Sequence, residues 1–459
     1  MFTDKQLEEI EQMGISICKN TFKVNYFSPN KFASYIKGKS HLIYNKGEFY
    51  TYNNGKWSKV DELRVFKRLR AQLHKYFDDI WSTKVEREYV EALKRIVLHN
   101  EELNSYKDYI NMLNGMYDLE THTLVEHSLK FYSTIQIPIN YDENAECPNF
   151  MKFLDECFLG DEDSKILSQE WAGYSMTAEV KAQKALVLYG TGANGKGVFI
   201  DLISYCIGSE NISSVALNEL NKPFMRVCLH NKLANICSEN ENNGASLNTQ
   251  YFKMITGEDV ITAEQKYKPA FSFKPTAKII MAMNNLPHTK DTSHGFQRRL
   301  SVLHFRNTVA ENKRDRNLKD KLKQELQGIF NWSILGLKRL KENEFRFSDC
   351  NVSNEVIKNY AKDINPFICF FEECIEKAEE SYKEDKKVIY NTFKVWADAN
   401  GMKGYADIST RKFWAKFDEQ LKVLGYMGKS GHSNKLNYHT GVRVIGEFKI
   451  DINNPIYKY

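Results

Sequence analysis

The sequence predicts an α/β protein whose centre is a phosphate-binding loop set in a sheet, and three observations carry that prediction. A run of strand-forming residues, Ala185 to Tyr189, leads into Gly190-Thr191-Gly192-Ala193-Asn194-Gly195-Lys196, which fits G-x-x-x-x-G-K, and a helix-compatible run opens at Val198. Two more apolar runs of strand length end in polar residues: Lys232 to Ser238 closes at Glu239, with Glu241 two residues on, and Ala277 to Met283 closes at Asn284. A last strand, Ser301 to Phe305, follows the paired arginines of Gly295-Phe296-Gln297-Arg298-Arg299-Leu300.

Each element has a chemical reason. In the order strand, loop, helix, Gly190, Thr191, Gly192, Ala193, Asn194, Gly195, Lys196, Gly197 and Val198 form a cradle whose backbone N–H groups close around phosphates. The helix adds its positive end, and Lys196 reaches the β- and γ-phosphates of ATP or GTP. The motif normally ends in Ser or Thr, whose hydroxyl holds Mg²⁺; here Gly197 and Val198 follow the lysine, and neither carries a side-chain oxygen. Glu239, at a strand's carboxyl end, is placed to hold Mg²⁺ directly or through water, or to orient an attacking water; a plain surface charge is the other reading. Asn284 offers an amide that senses a γ-phosphate, and Arg298 and Arg299 suit a neighbouring subunit's site. Between them, Ile261 to Lys268 runs into a Lys266-Tyr267-Lys268 tip: two cations for phosphates and a ring for stacking on a base, or simply a polar turn.

The bulk numbers bound the rest. A chain of 459 residues is long enough for several domains, each with its own core. Its net charge of +5 permits nucleic acid as a partner without demanding it. No apolar run approaches the ~20 residues needed to span a bilayer, and the polar start MFTDKQLEEIEQMG is not a leader, so no membrane role and a cytoplasmic location are expected. The nine cysteines are scattered with no C-x-x-C, which reads as reduced, buried thiols.

Residues 1–149 read as a small α+β domain. His41 to Val60 alternates around Asn45-Lys46-Gly47 and Asn53-Asn54-Gly55 turns, which predicts a β meander. A helix follows, with Leu63, Phe66, Leu69, Leu73 and Phe77 on one stripe and Arg64, Lys67, Arg68, Arg70 and Lys75 elsewhere: a solvated face or a phosphate-binding one. Residues 150–183 have helical spacing and form a connecting bundle, 184–345 the phosphate-loop domain. SDCNVSNE reads as a polar linker that leads to a helix and then Pro366 in 352–459, where helices at 389–400 and 410–424, the latter capped by Ser409 or Thr410, precede a Gly-punctuated alternating tail. Helices followed by a hairpin predict a winged helix. Lys412, Lys416, Lys422, Lys429, Lys435 and Arg443 there are candidates for DNA phosphates, with Lys422 and Lys435 singled out; docking of a protein is the alternative.

Taken together, GTGANGKG, NICSE, MITGEDVITAEQKYKPAF, KIIMAMNNLP and GFQRRL occur in this order over about 120 residues. The set resembles the AAA+-like ATPase domain of superfamily 3 helicases, in particular the primase-helicases of phages, satellite phages, plasmids and poxviruses. LNGMYDLETHTLVEH, PINYDENAECPNF and EWAGYSMT extend the likeness over roughly Tyr35 to Gly446. The resemblance implies a ring, usually a hexamer, that uses ATP and Mg²⁺ to move 3′ to 5′ on a DNA strand, initiating replication of a phage or mobile element beside other replication proteins. It implies that Lys196 binds phosphate, Glu239 is the acid of the second nucleotide motif, Asn284 the sensor and Arg299 the arginine finger, with Arg298 second choice. It places Lys266 and Lys268 on the hairpin that touches DNA in the channel. About a hundred residues precede LNGMYD with no acidic cluster for primer synthesis, so priming by this chain is not expected. A non-motor origin-binding protein that uses ATP only to assemble is the rival reading, and Gly197 favours it.

Overall fold

The computed structural model describes residues 2–18, 20–238, 247–287, 289, 291–433 and 436–451. Five strands, β1 (Ala185–Tyr189), β2 (Ile212–Ser213), β3 (Ala234–Ser238), β4 (Lys278–Met283) and β5 (Leu300–His304), form one sheet in the order β2-β3-β4-β1-β5. All four pairings are parallel. Every residue of β4 and the first four of β1 are buried, as expected for a sheet covered on both faces, and this is why they read as unbroken apolar runs. Alternate side chains divide between two cores: Leu186, Leu188, Ile280 and Ala282 face one, Val187, Ile279 and Met281 the other. Tyr189 lies opposite Met283 on one side and His304 on the other, so the chain leaves the sheet at Gly190, Asn284 and Phe305 side by side.

Helices from either side of the sheet in sequence cover its first face. Glu162–Ser175 packs on Leu326–Glu342 through glycines: a Cβ on Gly173 would lie 2.3 Å from the Ser333 carbonyl oxygen, and one on Gly336 2.4 Å from the Gln169 carbonyl carbon. Pro148–Phe158 starts at Cys147, which makes no side-chain cap bond; the Glu325 carboxylate supplies it instead, accepting from the N–H groups of Asn149 (3.1 Å) and Phe150 (2.9 Å). Ile110, Met112 and Tyr117, from the small sheet Tyr109–Met112, Gly115–Asp118 and Leu124–Val125, join this same core.

Residues Ile10 to Val97 close a separate core. The meander forms as three antiparallel strands, Leu42–Asn45, Glu48–Asn53 and Lys56–Val60. In the following helix, Glu62–His74, the buried stripe is Val65, Leu69 and Leu73, while Leu63 is 72% exposed. Spacing of four keeps one face turned inward, and the helix ends before Phe77 can extend the stripe that Leu63 and Phe66 suggested.

The helix expected before Pro366 starts inside the polar linker and takes five of its eight residues. Asn351–Ile364 lays Val356, Ile357, Tyr360 and Ile364 on the sheet's second face, Ser353 Oγ accepts from Val302 N–H at 3.0 Å, and Tyr360 donates to the Pro287 carbonyl at 2.5 Å. The apolar spacing of four after SDCNVSNE outweighs its polar start. Beyond it, Pro366–Cys374, Lys386–Ala399 and Thr410–Val423 enclose Phe367, Phe370, Phe393, Trp396, Phe413 and Phe417, beside a sheet with Leu436–Thr440 between Lys383–Asp385 and Ser430–Ser433. Ser409 sits at the N-cap of Thr410–Val423 without a side-chain cap bond. No helix among the described residues is long and apolar enough to cross a membrane.

One buried charge sets a pH dependence. Lys278 opens β4 at 3% exposure, donates to the Thr177 carbonyl and stands 5.4 Å from the Tyr174 ring centroid. Burial lowers its ammonium from the ordinary lysine value to about 7. Above that pH the folded chain has shed a proton that the unfolded chain keeps to about pH 10.4, so stability rises with pH across this window. The stability of the unaltered chain minus that of Lys278→Met is expected to grow by roughly 2 kcal/mol between pH 7 and 9 in urea unfolding; a difference independent of pH would show the lysine is charged when buried.

Candidate functional site

The loop after β1 has the backbone of an anion cradle. Gly190, Gly192, Ala193 and Gly195 all have positive φ (152°, 100°, 50° and 92°), and Gly195 caps the helix Lys196–Ile207 in the left-handed conformation. Two of the glycines are required by space as well. A Cβ on Gly190 would meet Asn194 Nδ2 at 2.2 Å, and one on Gly195 would meet Cys157 Sγ at 2.5 Å. Asn194 is buried and ties the loop to the next strand, its Nδ2 donating to the Phe305 carbonyl at 3.0 Å, while Val309 N–H donates to Ala193. By contrast a Cβ on Gly192 or Gly197 would meet nothing within 4 Å, and Thr191 and Gly197 are exposed. The concavity that remains is bounded by N–H groups at a helix start, which is what a phosphate chain needs.

Lys196 and Asn284 meet in this cradle. Lys196 is 8% exposed; its Nζ donates to the Gly190 carbonyl and to Asn284 Oδ1 at 3.3 Å, and burial lowers its pKa. The register of β1 on β4 explains the meeting, since Tyr189 opposite Met283 makes Gly190 and Asn284 neighbours. A lysine held by two oxygens, with no carboxylate partner among the described residues, is a cation kept available for an incoming anion.

The donor set for a metal is a different matter. Glu239, the expected Mg²⁺ residue, lies outside the described residues, although β3 brings the chain to the same end of the strands at Ser238. No group of three or more His, Cys, Asp and Glu able to share a metal occurs among the described residues, and Gly197 offers no hydroxyl. The described side chains therefore fit a nucleotide's phosphates but do not make a Mg²⁺ site. Because a side chain at 197 would enter open space, Gly197→Ser is expected to fold unchanged and to raise Mg²⁺-dependent hydrolysis on the order of tenfold, measured as phosphate release against Mg²⁺ concentration. Unaltered Mg²⁺ dependence would mean the hydroxyl is not missed.

The paired arginines stand elsewhere. They immediately precede β5, where the Arg299 carbonyl accepts from Ala185 N–H at 2.7 Å, so they lie at the opposite end of the strands from the loop that follows Tyr189. Five strand residues separate the ends by about 16 Å, too far for either guanidinium to reach its own cradle. Arg298 is exposed, whereas Arg299 is turned in, donating to the Gly295 carbonyl and carrying a buried Nε with no partner among the described residues. The segment before them is anchored by Asp291, which accepts from Thr249, Lys253 (2.8 Å) and Ser293 (2.6 Å); these bonds hold its carboxyl down at about 2. Nothing in the sequence around Asp291 distinguishes it as an anchor.

The expected hairpin forms from Ile261–Ala263 and Phe271–Phe273. At its tip Tyr267 is wholly exposed with φ +63°, and Lys266 is exposed; Lys268 instead pairs with Glu48 of the meander, which also binds Lys59 at 3.1 Å. In the last module Lys412 and Lys422 are exposed, Lys416 donates to Thr292 Oγ1 at 2.9 Å, and Arg443 pairs with Glu376 at 3.2 Å. Lys435 lies outside the described residues.

Two family models match the chain: one described as D5 N terminal like, over residues 30–159, and one described as a family of unknown function, DUF5906, over residues 188–299. A helicase-named protein of Acanthamoeba polyphaga mimivirus is 33% identical over 133 residues, 26% of this chain and 13% of its own length. A helicase-named protein of Invertebrate iridescent virus 6 is 22% identical over 372 residues, 70% of this chain and 38% of its own. The chain thus spans well under half the length of these curated relatives. Among solved structures, the apo NrS-1 C-terminal region aligns with a TM-score of 0.52 at 11% identity, covering 91% of this chain and all of that one, a likeness of fold. With the ordered motifs around a parallel P-loop sheet, the D5 N terminal like match and the two helicase-named viral relatives support a protein similar to the phage and viral primase-helicases.

Proposed function

We propose that the chain is an ATP-dependent replicative DNA helicase that works as a ring-shaped oligomer, a hexamer by its resemblance, moving 3′ to 5′ and initiating replication of a phage or other mobile element. One observation carries this reading: the cradle with Lys196 and Asn284 and the arginine pair occupy opposite ends of the strands of one sheet. A subunit built this way has half a site on each side, which suits head-to-tail closure. ATP, when bound with Mg²⁺, supplies the phosphoryl transfer that drives the cycle. Lys196 and the loop N–H groups hold its phosphates, Asn284 reads the terminal one, Glu239 acts on Mg²⁺ or water, and Arg299 of the next subunit meets the developing charge. Lys266, Tyr267 and Lys268 then face a strand in the channel. The strand order supports an AAA+-like core, the separate core of residues 10–97 a small α+β domain, with the sheet of residues 109–125 packed on the AAA+-like core instead, and the helices and sheet after Pro366 a winged helix in which Lys422 and Lys435 are assigned to duplex phosphates.

The test is ATP-driven separation of a forked DNA with a free 3′ tail, beside Lys196→Ala. Unwinding by the unaltered chain alone supports the motor. Gly197 favours a second reading, in which ATP only assembles an origin-binding complex; sequence-specific duplex binding with no unwinding by either protein would establish that one.

A further inference from the structure

The N-terminal unit contains a cleft of about 350 Å³, between helix Pro29–Lys39, the meander and helix Glu62–His74. Interiors of small domains are filled to voids of about water size, and ligand sites begin near 300 Å³. The cleft therefore has the volume of a site, and its lining has two chemically distinct sides. Ile36, Leu42, Val60, Val65 and Leu69 make an apolar wall. Facing it, Gln72 donates to the Tyr35 hydroxyl at 3.0 Å and Ser40 to the Ile36 carbonyl at 2.8 Å, which leaves the Gln72 carbonyl oxygen and the Thr51 hydroxyl as hydrogen-bonding groups along the slot.

The charge in the cleft is unbalanced. Glu9, its one acid, is consumed locally, accepting from Lys75 at 2.8 Å and from the Tyr35 and Tyr76 hydroxyls at 2.5 Å each. Lys39 and Arg68 stand at the mouth, both exposed and without an ion-pair partner among the described residues. Two uncompensated cations beside an apolar slot with hydrogen-bonding edges complement a molecule that is flat at one end and anionic at the other. An acyl chain would leave the Gln72 amide and the Thr51 hydroxyl unused; a nucleotide would use them. Arg64 and Lys67 continue the exposed cationic side of the same helix beyond Arg68, a track for further phosphates rather than one.

We propose that this cleft is a nucleic-acid site independent of the ATP cradle: it takes one base of a single strand against Ile36, Leu42 and Val65, with its phosphate on Arg68 and Lys39 and the adjoining phosphates along Lys67 and Arg64. Free nucleotide shares the chemistry but cannot use the track.

The test uses the full chain with an oligo-dT strand containing 4-thiothymidine, and separately with free 4-thiothymidylate. Irradiation of the strand complex is expected to crosslink the peptide bearing Tyr35. The double variant Lys39→Ala, Arg68→Ala is expected to bind the strand about 20-fold more weakly near 0.1 M salt and to lose about 1.4 from the slope of log affinity on log salt. Thr51→Trp, which fills the slot from the central strand, should abolish that crosslink. Thermal midpoints matching the unaltered chain show that each variant is folded, and a variant that fails this is replaced by Arg68→Gln. A crosslink confined to other peptides, or an affinity unchanged in the double variant, overturns the proposal. Crosslinking by free thymidylate but not by the strand overturns the strand assignment.

Discussion

Arg299→Ala is expected to bind ATP as tightly as the unaltered chain and to hydrolyse it at least about a thousandfold more slowly, the scale seen when an arginine finger is lost. Two facts single out this residue. It lies an entire strand length from the cradle of its own subunit, so any catalytic effect must be exerted on another. Its Nε is buried and has no acceptor among the described residues, in a segment otherwise anchored through the hydrogen bonds of Asp291. The decisive measurement is a mixture. Lys196→Ala subunits keep their arginine and Arg299→Ala subunits keep their cradle, so mixing equal amounts should restore hydrolysis at about a quarter of the interfaces in a randomly assembled ring. Complementation by Arg298→Ala in its place would move the role to the exposed neighbour, and none by either variant would remove the trans site.

Lys196→Ala is expected to lower hydrolysis at least about a hundredfold while leaving the melting temperature unchanged or slightly raised. The second half follows from the burial. At 8% exposure Lys196 is a desolvated cation held only by a carbonyl and an amide oxygen, so its removal relieves a charge that burial penalises. Calorimetric melting and phosphate release on the same preparation check both halves. Normal hydrolysis by the folded variant would sink the cradle's role, whereas loss of folding would show that the lysine is a structural member.

The sheet was legible in the sequence because strands covered on both faces have no alternative to continuous apolar runs, and the loop was legible because left-handed backbone at 190, 192 and 195 calls for glycine. What the sequence could not give was register. Asn284 and Glu239 look equivalent as strand-terminal polar residues; pairing of Met283 with Tyr189 is what brings Asn284 to Lys196. Pairs at long separation were equally hidden: Lys268 with Glu48 joins a hairpin tip to a meander 220 residues away, and neither residue carries a local sign of the other. Two helices, Thr83–Ile96 and Leu326–Glu342, went unread although Tyr89, Val90 and Leu93, and Ile329, Phe330, Ile334 and Leu337, show the helical spacing plainly. The inward turn of Arg299 depends on one carbonyl, at Gly295, and no pattern announces it.

The cap that Glu325 places on Pro148–Phe158 bears on how the chain is made. During synthesis the helix emerges about 175 residues before the carboxylate that completes its first turn, with the whole sheet translated in between. Its partner surface arrives later still, in Leu326–Glu342, whose glycines admit Glu162–Ser175 at backbone distance. The nascent chain therefore carries an uncapped, apolar helical pair until the ribosome has passed residue 342, and closure of this core waits on contacts of long sequence separation. A chain released before that point holds every residue of the cradle and still lacks the buttress that keeps the cradle in shape.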